Sequence, residues 1–152
     1  MTRRKYRAVV TGATRGIGYA IAERLIKDGL DVIATGTSED VDYPNGASYY
    51  PVDFLDDSRV EAFVEYLKQQ KIDILVNNAG INKISEFANI DIEDFDRILK
   101  VNLRTPFLLC QAVIPHMKEN SWGRIANITP NRGNINNPAP TIFFHMRNNW
   151  LT

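Results

Sequence analysis

The residues Thr11-Gly12-Ala13-Thr14-Arg15-Gly16-Ile17-Gly18 carry three glycines spaced G-x-x-x-G-x-G, between a short β-branched run and an apolar helical pattern. That chemistry suits a pyrophosphate. Gly12 can turn sharply off a strand, Gly16 lets backbone approach phosphate oxygens, and Gly18 lets a helix pack close to a sheet. The free N–H groups and positive end of the following helix then face the anion. The spacing differs from the common G-x-G-x-x-G, and a glycine cluster alone also serves as a plain structural turn. Further polar residues stand where strands or helices should end: Asp53 in Pro51-Val52-Asp53, the run Asn77-Asn78-Ala79-Gly80, and Asn102 in Lys100-Val101-Asn102-Leu103. Each has a second reading. Asp53 can cap a turn, Asn77 and Asn78 can satisfy backbone groups at a strand end, and Asn102 can close a helix. The single cysteine, Cys110, lies in the apolar run Phe107-Leu108-Leu109-Cys110-Gln111-Ala112, which suits packing better than nucleophilic chemistry. His116 reads as a residue ending a packed helix. His145 could in principle donate a proton, but no neighbour in its segment orients it. No Cys/His/Asp cluster has metal-ligand spacing, so no metal site is expected.

The elements that must position these residues are legible from periodicity. Arg7–Thr11, Asp31–Thr35, Ser48–Val52, Ile72–Val76 and Arg124–Ile128 read as strands. Pro51 marks the third as an edge or a strand end. Helices are expected over Tyr19–Asp28, stopped by Gly29, and from a Ser58/Glu61 capping box to about Gln70. Asp91 can cap a third helix running to about Asn102. Thr105 as N-cap and Pro106 at the first helical position then open a fourth, from Phe107 to about Lys118, expected to be deeply packed. Strands alternating with helices at this spacing make parallel βαβ units and a doubly wound α/β sheet of about five strands. Asn45-Gly46 marks a tight turn.

Thr-Gly-x-x-x-Gly-x-Gly opening the chain resembles the classical short-chain dehydrogenase/reductase family, and further motifs match in order. Asp53 is similar to the family's adenine-contacting aspartate, and Asn77-Asn78-Ala79-Gly80 to its Asn-Asn-Ala-Gly signature. Asn102 is similar to the helix asparagine that supports a water in the family's proton relay. The resemblance runs from residue 6 to about 129, and it implies a Rossmann-like fold and a nicotinamide dinucleotide as partner. The cofactor-binding set it implies is Thr11, Gly12, Thr14, Arg15, Gly16, Ile17, Gly18, Thr37, Asp53, Asn78, Ala79 and Gly80. Its nearest branch is that of the 3-oxoacyl-[acyl-carrier-protein] reductases, by the Thr-Gly-Ala-x-Arg-Gly-Ile-Gly start and the Thr-Ser-Glu run at 37 to 39.

An acid at the end of the second strand would bind the ribose 2′-hydroxyl of NAD. That position is Gly36 here, with Arg15 in the glycine turn and the hydroxyls of Thr37 and Ser38 nearby, so NADP(H) is expected to be favoured over NAD(H). Glu39 and Asp40 lie just beyond and oppose that preference, and Arg15 can also be a solvated surface residue. Family chemistry needs a serine, a tyrosine general acid/base and a lysine that lowers the tyrosine pKa. By the family's spacing these fall at position 130, near 143 and near 147, where the chain has Pro130, Phe143 and Arg147. Of that catalytic set only Asn102 remains. The expected activity, by descent, is NAD(P)H-dependent carbonyl reduction or alcohol oxidation. The chain itself is expected to be inactive, a dinucleotide-binding remnant or subunit, or an unstable product.

Composition sharpens the boundary. From Pro130 to Thr152 there is no Asp, Glu, Lys or Tyr, while all 18 acidic residues lie earlier. Residues 1–129 therefore read as the nucleotide-binding domain, and 130–152 as an atypical, poorly ordered tail, as a frameshift or aberrant splice would leave it. The family's last strands and helices, with its usual oligomer interface, would then be missing, which argues against a family-type homo-oligomer. Lys and Arg total 18 against 18 Asp and Glu, so net charge gives no pull toward nucleic acid or an anionic membrane. No apolar run is long enough to span a bilayer. One cysteine forbids an internal disulfide and fits a cytoplasmic location.

Overall fold

The computed structural model describes residues 5–83 and 87–128. Five strands, β1 (Arg7–Val10), β2 (Asp31–Gly36), β3 (Ser48–Pro51), β4 (Ile74–Asn77) and β5 (Arg124–Asn127), form one sheet in the order β3-β2-β1-β4-β5. Every pairing is parallel. The helices are α1 (Gly16–Lys27), α2 (Asp57–Gln69), α3 (Ile92–Leu99) and α4 (Thr105–Glu119). A π-helical segment, Lys100–Arg104, joins α3 to α4, and a short 3-10 turn spans Phe87–Asn89.

Strand pleating explains the two-sided core. Successive side chains of β1 point to opposite faces. Val9 joins a cluster of large groups from α2, β4 and α4, including Phe63, Leu67, Leu75, Leu109 and Val113. Ala8 and Val10 join a cluster of small ones, Ala13, Ala22, Val32, Ala34 and Val76. The alanines let α1 sit close to the sheet, where the glycine turn needs it. All of Ala8, Val9 and Val10 are fully buried, as expected for the central strand of a parallel sheet. β3 is an edge strand ending in Pro51, where a missing donor costs no ladder bond. β5 pairs with β4, and Arg124, Ala126 and Asn127 are exposed along it.

Several element ends differ from the sequence reading, each for a local reason. α1 starts at Gly16 rather than Tyr19, because the glycine turn itself forms the first helical turn. α2 is capped by Asp56 rather than Ser58: Asp56 is extended, and its carboxylate accepts from the N–H groups of Ser58 (2.9 Å) and Arg59 (3.2 Å). Asp91 does cap α3, accepting from the Glu93 N–H at 3.0 Å. Gly29 stops α1 in the left-handed region, φ +88°, and Gly46 turns at φ +92°.

The expected break between the third and fourth helices is absent. Thr105 is helical, φ −64° and ψ −51°, so it is not an N-cap, which needs an extended backbone. Its N–H and its hydroxyl both bond the Lys100 carbonyl, the latter at 3.0 Å. Pro106 has no N–H to give the carbonyl four residues back, and the helix absorbs this by widening to π for one turn instead of stopping. α4 is also less enclosed than expected. Leu109, Cys110, Val113 and Met117 are buried, but Phe107 is 52% exposed, since α2 and the sheet cover only one side.

Candidate active site

β1 delivers the chain to Thr11, which is buried and does the work of a staple. Its N–H donates to the Val76 carbonyl at 3.0 Å. Its hydroxyl oxygen accepts from the N–H groups of Asn78 and Ala79, both at 3.0 Å. In return the Asn78 side-chain amide donates to the carbonyls of Thr11 (2.9 Å) and Gly12 (3.0 Å). The end of β4 and the turn after β1 are therefore one rigid unit. Gly12 fits there because its φ is +64° and a Cβ would stand 2.9 Å from the Ala79 Cα. At Gly18 a Cβ would fall 2.3 Å from the Asn78 amide nitrogen and 2.4 Å from the Gly12 carbonyl oxygen, so only glycine fits. Gly16, at φ +58°, faces open space.

The electrostatics of α1 differ from those of its neighbours. α2 and α3 have aspartate caps and acids in their first turns. α1 begins after extended Arg15, with no side-chain cap and no acid in its first turn. Its leading N–H groups and positive end thus stay available to an anion. The position is the topological switch point. β1 passes its chain toward β2 and β4 passes its chain toward β5, so the crevice at their carboxyl ends opens between them. Arg15 and Ile17 are exposed there, and Thr14 is half-buried.

The other sequence-derived residues line the same edge of the sheet. The Val52 N–H donates to the Gly36 carbonyl at 2.7 Å, which sets Asp53 beside the end of β2 and exposed Thr37. Asp53 accepts from the Leu55 N–H at 2.9 Å, the turn-capping contact of its second reading. Asn102 lies in the π segment and clasps the backbone of Ile81, accepting from its N–H at 2.9 Å and donating to its carbonyl at 2.8 Å. A Cβ on Gly80 would stand 3.3 Å from the Asn102 side-chain oxygen. Thr11, Gly12, Gly18, Asn78, Ala79, Gly80 and Asn102 so form one connected series. Pro130, Phe143, His145 and Arg147, with the whole 130–152 segment, lie outside the described residues.

Sequence reasoning passed over Thr35 and Asp73, and it placed Asn77 in the strand-end motif without its side-chain partner on β5. Thr35 is buried, and its hydroxyl accepts from the Gly12 N–H at 3.3 Å while its carbonyl accepts from the Ala13 N–H at 2.8 Å. The only signal was a threonine ending an apolar strand. Asn77 is buried and donates to the Asn127 side chain at 2.8 Å. Among the described residues its own side-chain oxygen has no hydrogen-bond partner. Buried Asp73 ties β1 to the helices, accepting from the Arg7 N–H at 2.9 Å and meeting His116 at 3.4 Å. Burial pushes the Cys110 thiol above its ordinary pKa, which suits packing rather than nucleophilic attack. Among the described residues no group of three or more His, Cys, Asp or Glu could hold a metal, and no helix is long and apolar enough to cross a membrane.

Comparison with known proteins bears on this geometry. The model of the short chain dehydrogenase family matches residues 6–143, beyond Thr129 where the sequence resemblance was expected to end. A 3-oxoacyl-[acyl-carrier-protein] reductase from Buchnera aphidicola is 40% identical over 146 residues, covering 87% of this chain and 60% of its own length. The chain thus spans about 60% of that relative. A short-chain dehydrogenase from Streptomyces avermitilis superposes with a TM-score of 0.76 at 28% identity, over 85% of this chain and 50% of that one. A metagenomic short-chain oxidoreductase solved in complex with NADP gives 0.72 at 30% identity, over 82% of this chain and 61% of its own.

Proposed function

The chain belongs to the short-chain dehydrogenase family, and from this we propose that it binds NADP(H) at the carboxyl edge of its sheet without turning over a substrate unaided. The observation that carries the reading is the uncapped, acid-free start of α1 behind Gly16, at the switch point of the sheet. The backbone of Gly12–Gly18 is suited to a pyrophosphate, Asp53 to the adenine, and the Asn78–Gly80 run to the crevice between them. The NADP found in one structural neighbour supports the dinucleotide class. Gly36 in place of an acid, with Arg15 and Thr37 close by, supports the phosphorylated form over NAD(H).

By descent the chemistry is that of a carbonyl reductase similar to the 3-oxoacyl-[acyl-carrier-protein] reductases. When bound, the reduced nicotinamide supplies hydride to a carbonyl carbon. The protein must then hold a proton for the oxygen, and the family places a tyrosine and lysine for that task. This sequence has Phe143 and Arg147 at those spacings and Pro130 in place of the serine. Phenylalanine carries no exchangeable proton, and loss of acid–base help alone costs about 10²–10⁴-fold in rate. Asn102 is left to orient the Gly80–Ile81 backbone at the crevice.

A titration of the purified chain with NADPH and NADH, followed by an assay with a 3-oxoacyl thioester, tests both halves. Tighter binding of NADPH with turnover at the background rate is expected. No binding of either nucleotide by a cooperatively folded chain would sink the binding half, and protein-dependent oxidation of NADPH would sink the other.

A further inference from the structure

The end of β2 is shaped by a residue outside the glycine turn. Tyr49, on β3, pairs in register with Ala34. Its ring lies against the small-residue cluster beneath α1 and stacks on Tyr43, centroids 4.8 Å apart and planes 8° from parallel. Its hydroxyl reaches past the strand end and donates to the Ser38 carbonyl at 2.6 Å. A Cβ on Gly36 would stand 2.7 Å from that hydroxyl and 2.5 Å from the Thr14 methyl carbon. The volume above Gly36 is therefore filled from two sides, by the glycine turn and by β3. The position where an acid would grip a ribose 2′-hydroxyl is closed to any side chain. Burial holds the Tyr49 phenol above its ordinary pKa, so it remains a donor through the neutral range.

We propose that Tyr49 is a positioning residue for cofactor choice: by pinning the Ser38 carbonyl and, with Thr14, filling the space above Gly36, it fixes the turn after β2 in an acid-free form that accepts a 2′-phosphorylated dinucleotide beside Arg15. The inference rests on the dinucleotide-binding reading above. It assigns Tyr49 no contact with the reacting atoms. Thr37 and Ser38 are exposed at the turn it holds, and the exposed acids Glu39 and Asp40 follow directly. A loosened turn lets those acids approach the phosphate site, which penalises NADPH and leaves NADH nearly untouched.

The test is Tyr49→Phe, which keeps the ring and its stack and removes one hydroxyl. Dissociation constants for NADPH and NADH are measured on the full chain by fluorescence titration. NADPH affinity is expected to fall roughly three- to tenfold, the span of one neutral hydrogen bond, with NADH within about twofold of wild type. Tyr43→Ala, which removes the supporting stack at an exposed residue, should lower the NADPH-to-NADH ratio in the same direction and serves if the first variant folds poorly. A ratio that stays at its wild-type value, with both affinities equal to wild type or weakened together, overturns the positioning role while leaving the dinucleotide reading intact. A folded wild-type chain that binds neither nucleotide overturns both.

Discussion

Gly18→Ala gives the most severe test of the site geometry. The new methyl would lie 2.3 Å from the Asn78 amide nitrogen and 2.4 Å from the Gly12 carbonyl oxygen. Neither can step aside freely. Gly12 is held by the Thr35 hydroxyl, and the Asn78 amide is held by two carbonyls of the same turn. Overpacking a tight site costs about 1–3 kcal/mol. Pushing the Asn78 amide off Gly12 forfeits its hydrogen bond to the Gly12 carbonyl, worth about 1 kcal/mol. A loss of about 2–4 kcal/mol follows. At roughly 2–4 °C per kcal/mol for a chain of this size, Tm should fall by roughly 5–15 °C. Gly16→Ala is the internal control. Its methyl meets open space, so only the left-handed backbone resists it, at about 1–2 kcal/mol. On the dinucleotide-binding reading, the same methyl would occupy the open space in which a phosphate approaches the start of α1, and dinucleotide affinity should fall about ten- to a hundredfold, as for a lost charge-assisted hydrogen bond. Thermal unfolding and nucleotide titration of both variants separate the effects. A Gly18→Ala chain melting within about 2 °C of wild type would refute the claim that Asn78 and Gly12 form a closed unit.

Three further outcomes follow from the same contacts. Thr35→Val leaves the Gly12 N–H without its acceptor and should cost about 1 kcal/mol, read as a lower denaturant midpoint at unchanged slope; an unchanged midpoint contradicts the assigned bond. Asn102→Leu removes both contacts with Ile81 and should lower stability by about 1–3 kcal/mol, with local hydrogen exchange at Ile81 rising by more than the global value. Cys110 has a folded-state pKa raised by burial, so the folded chain keeps its proton longer than the unfolded one. Its contribution to stability is whole below the unfolded thiol pKa and is lost as pH rises through the folded value. A cysteine-directed alkylating reagent should therefore react with the native chain only as it unfolds, and rapid labelling of native protein at mildly alkaline pH would contradict that burial.

Local signals carried the order of elements. A β-branched run, a glycine turn and an apolar-periodic stretch determine strand, turn and helix over neighbouring residues, and the Asp91 cap and the Gly29 stop were readable for the same reason. The glycine positions at 12, 16 and 18 were legible as a tight turn from strand into helix, and Pro51 as an edge marker. What failed was local choice between near-equal options. Asp56 outcompeted Ser58 for a cap because its carboxylate reaches two N–H groups, and Pro106 widened a helix that its missing donor was expected to end.

Contacts across the chain were not legible at all. The sequence by itself determined that three glycines stand between a strand and a helix, and that Gly36 carries no acid. Only the tertiary structure decided why. Asn78, 66 residues from Gly12, closes the space over Gly18, and Tyr49, on a neighbouring strand, closes the space over Gly36. A glycine's reason lies in the atoms that a Cβ would strike, and those atoms arrive from elsewhere in the chain only when the sheet has formed.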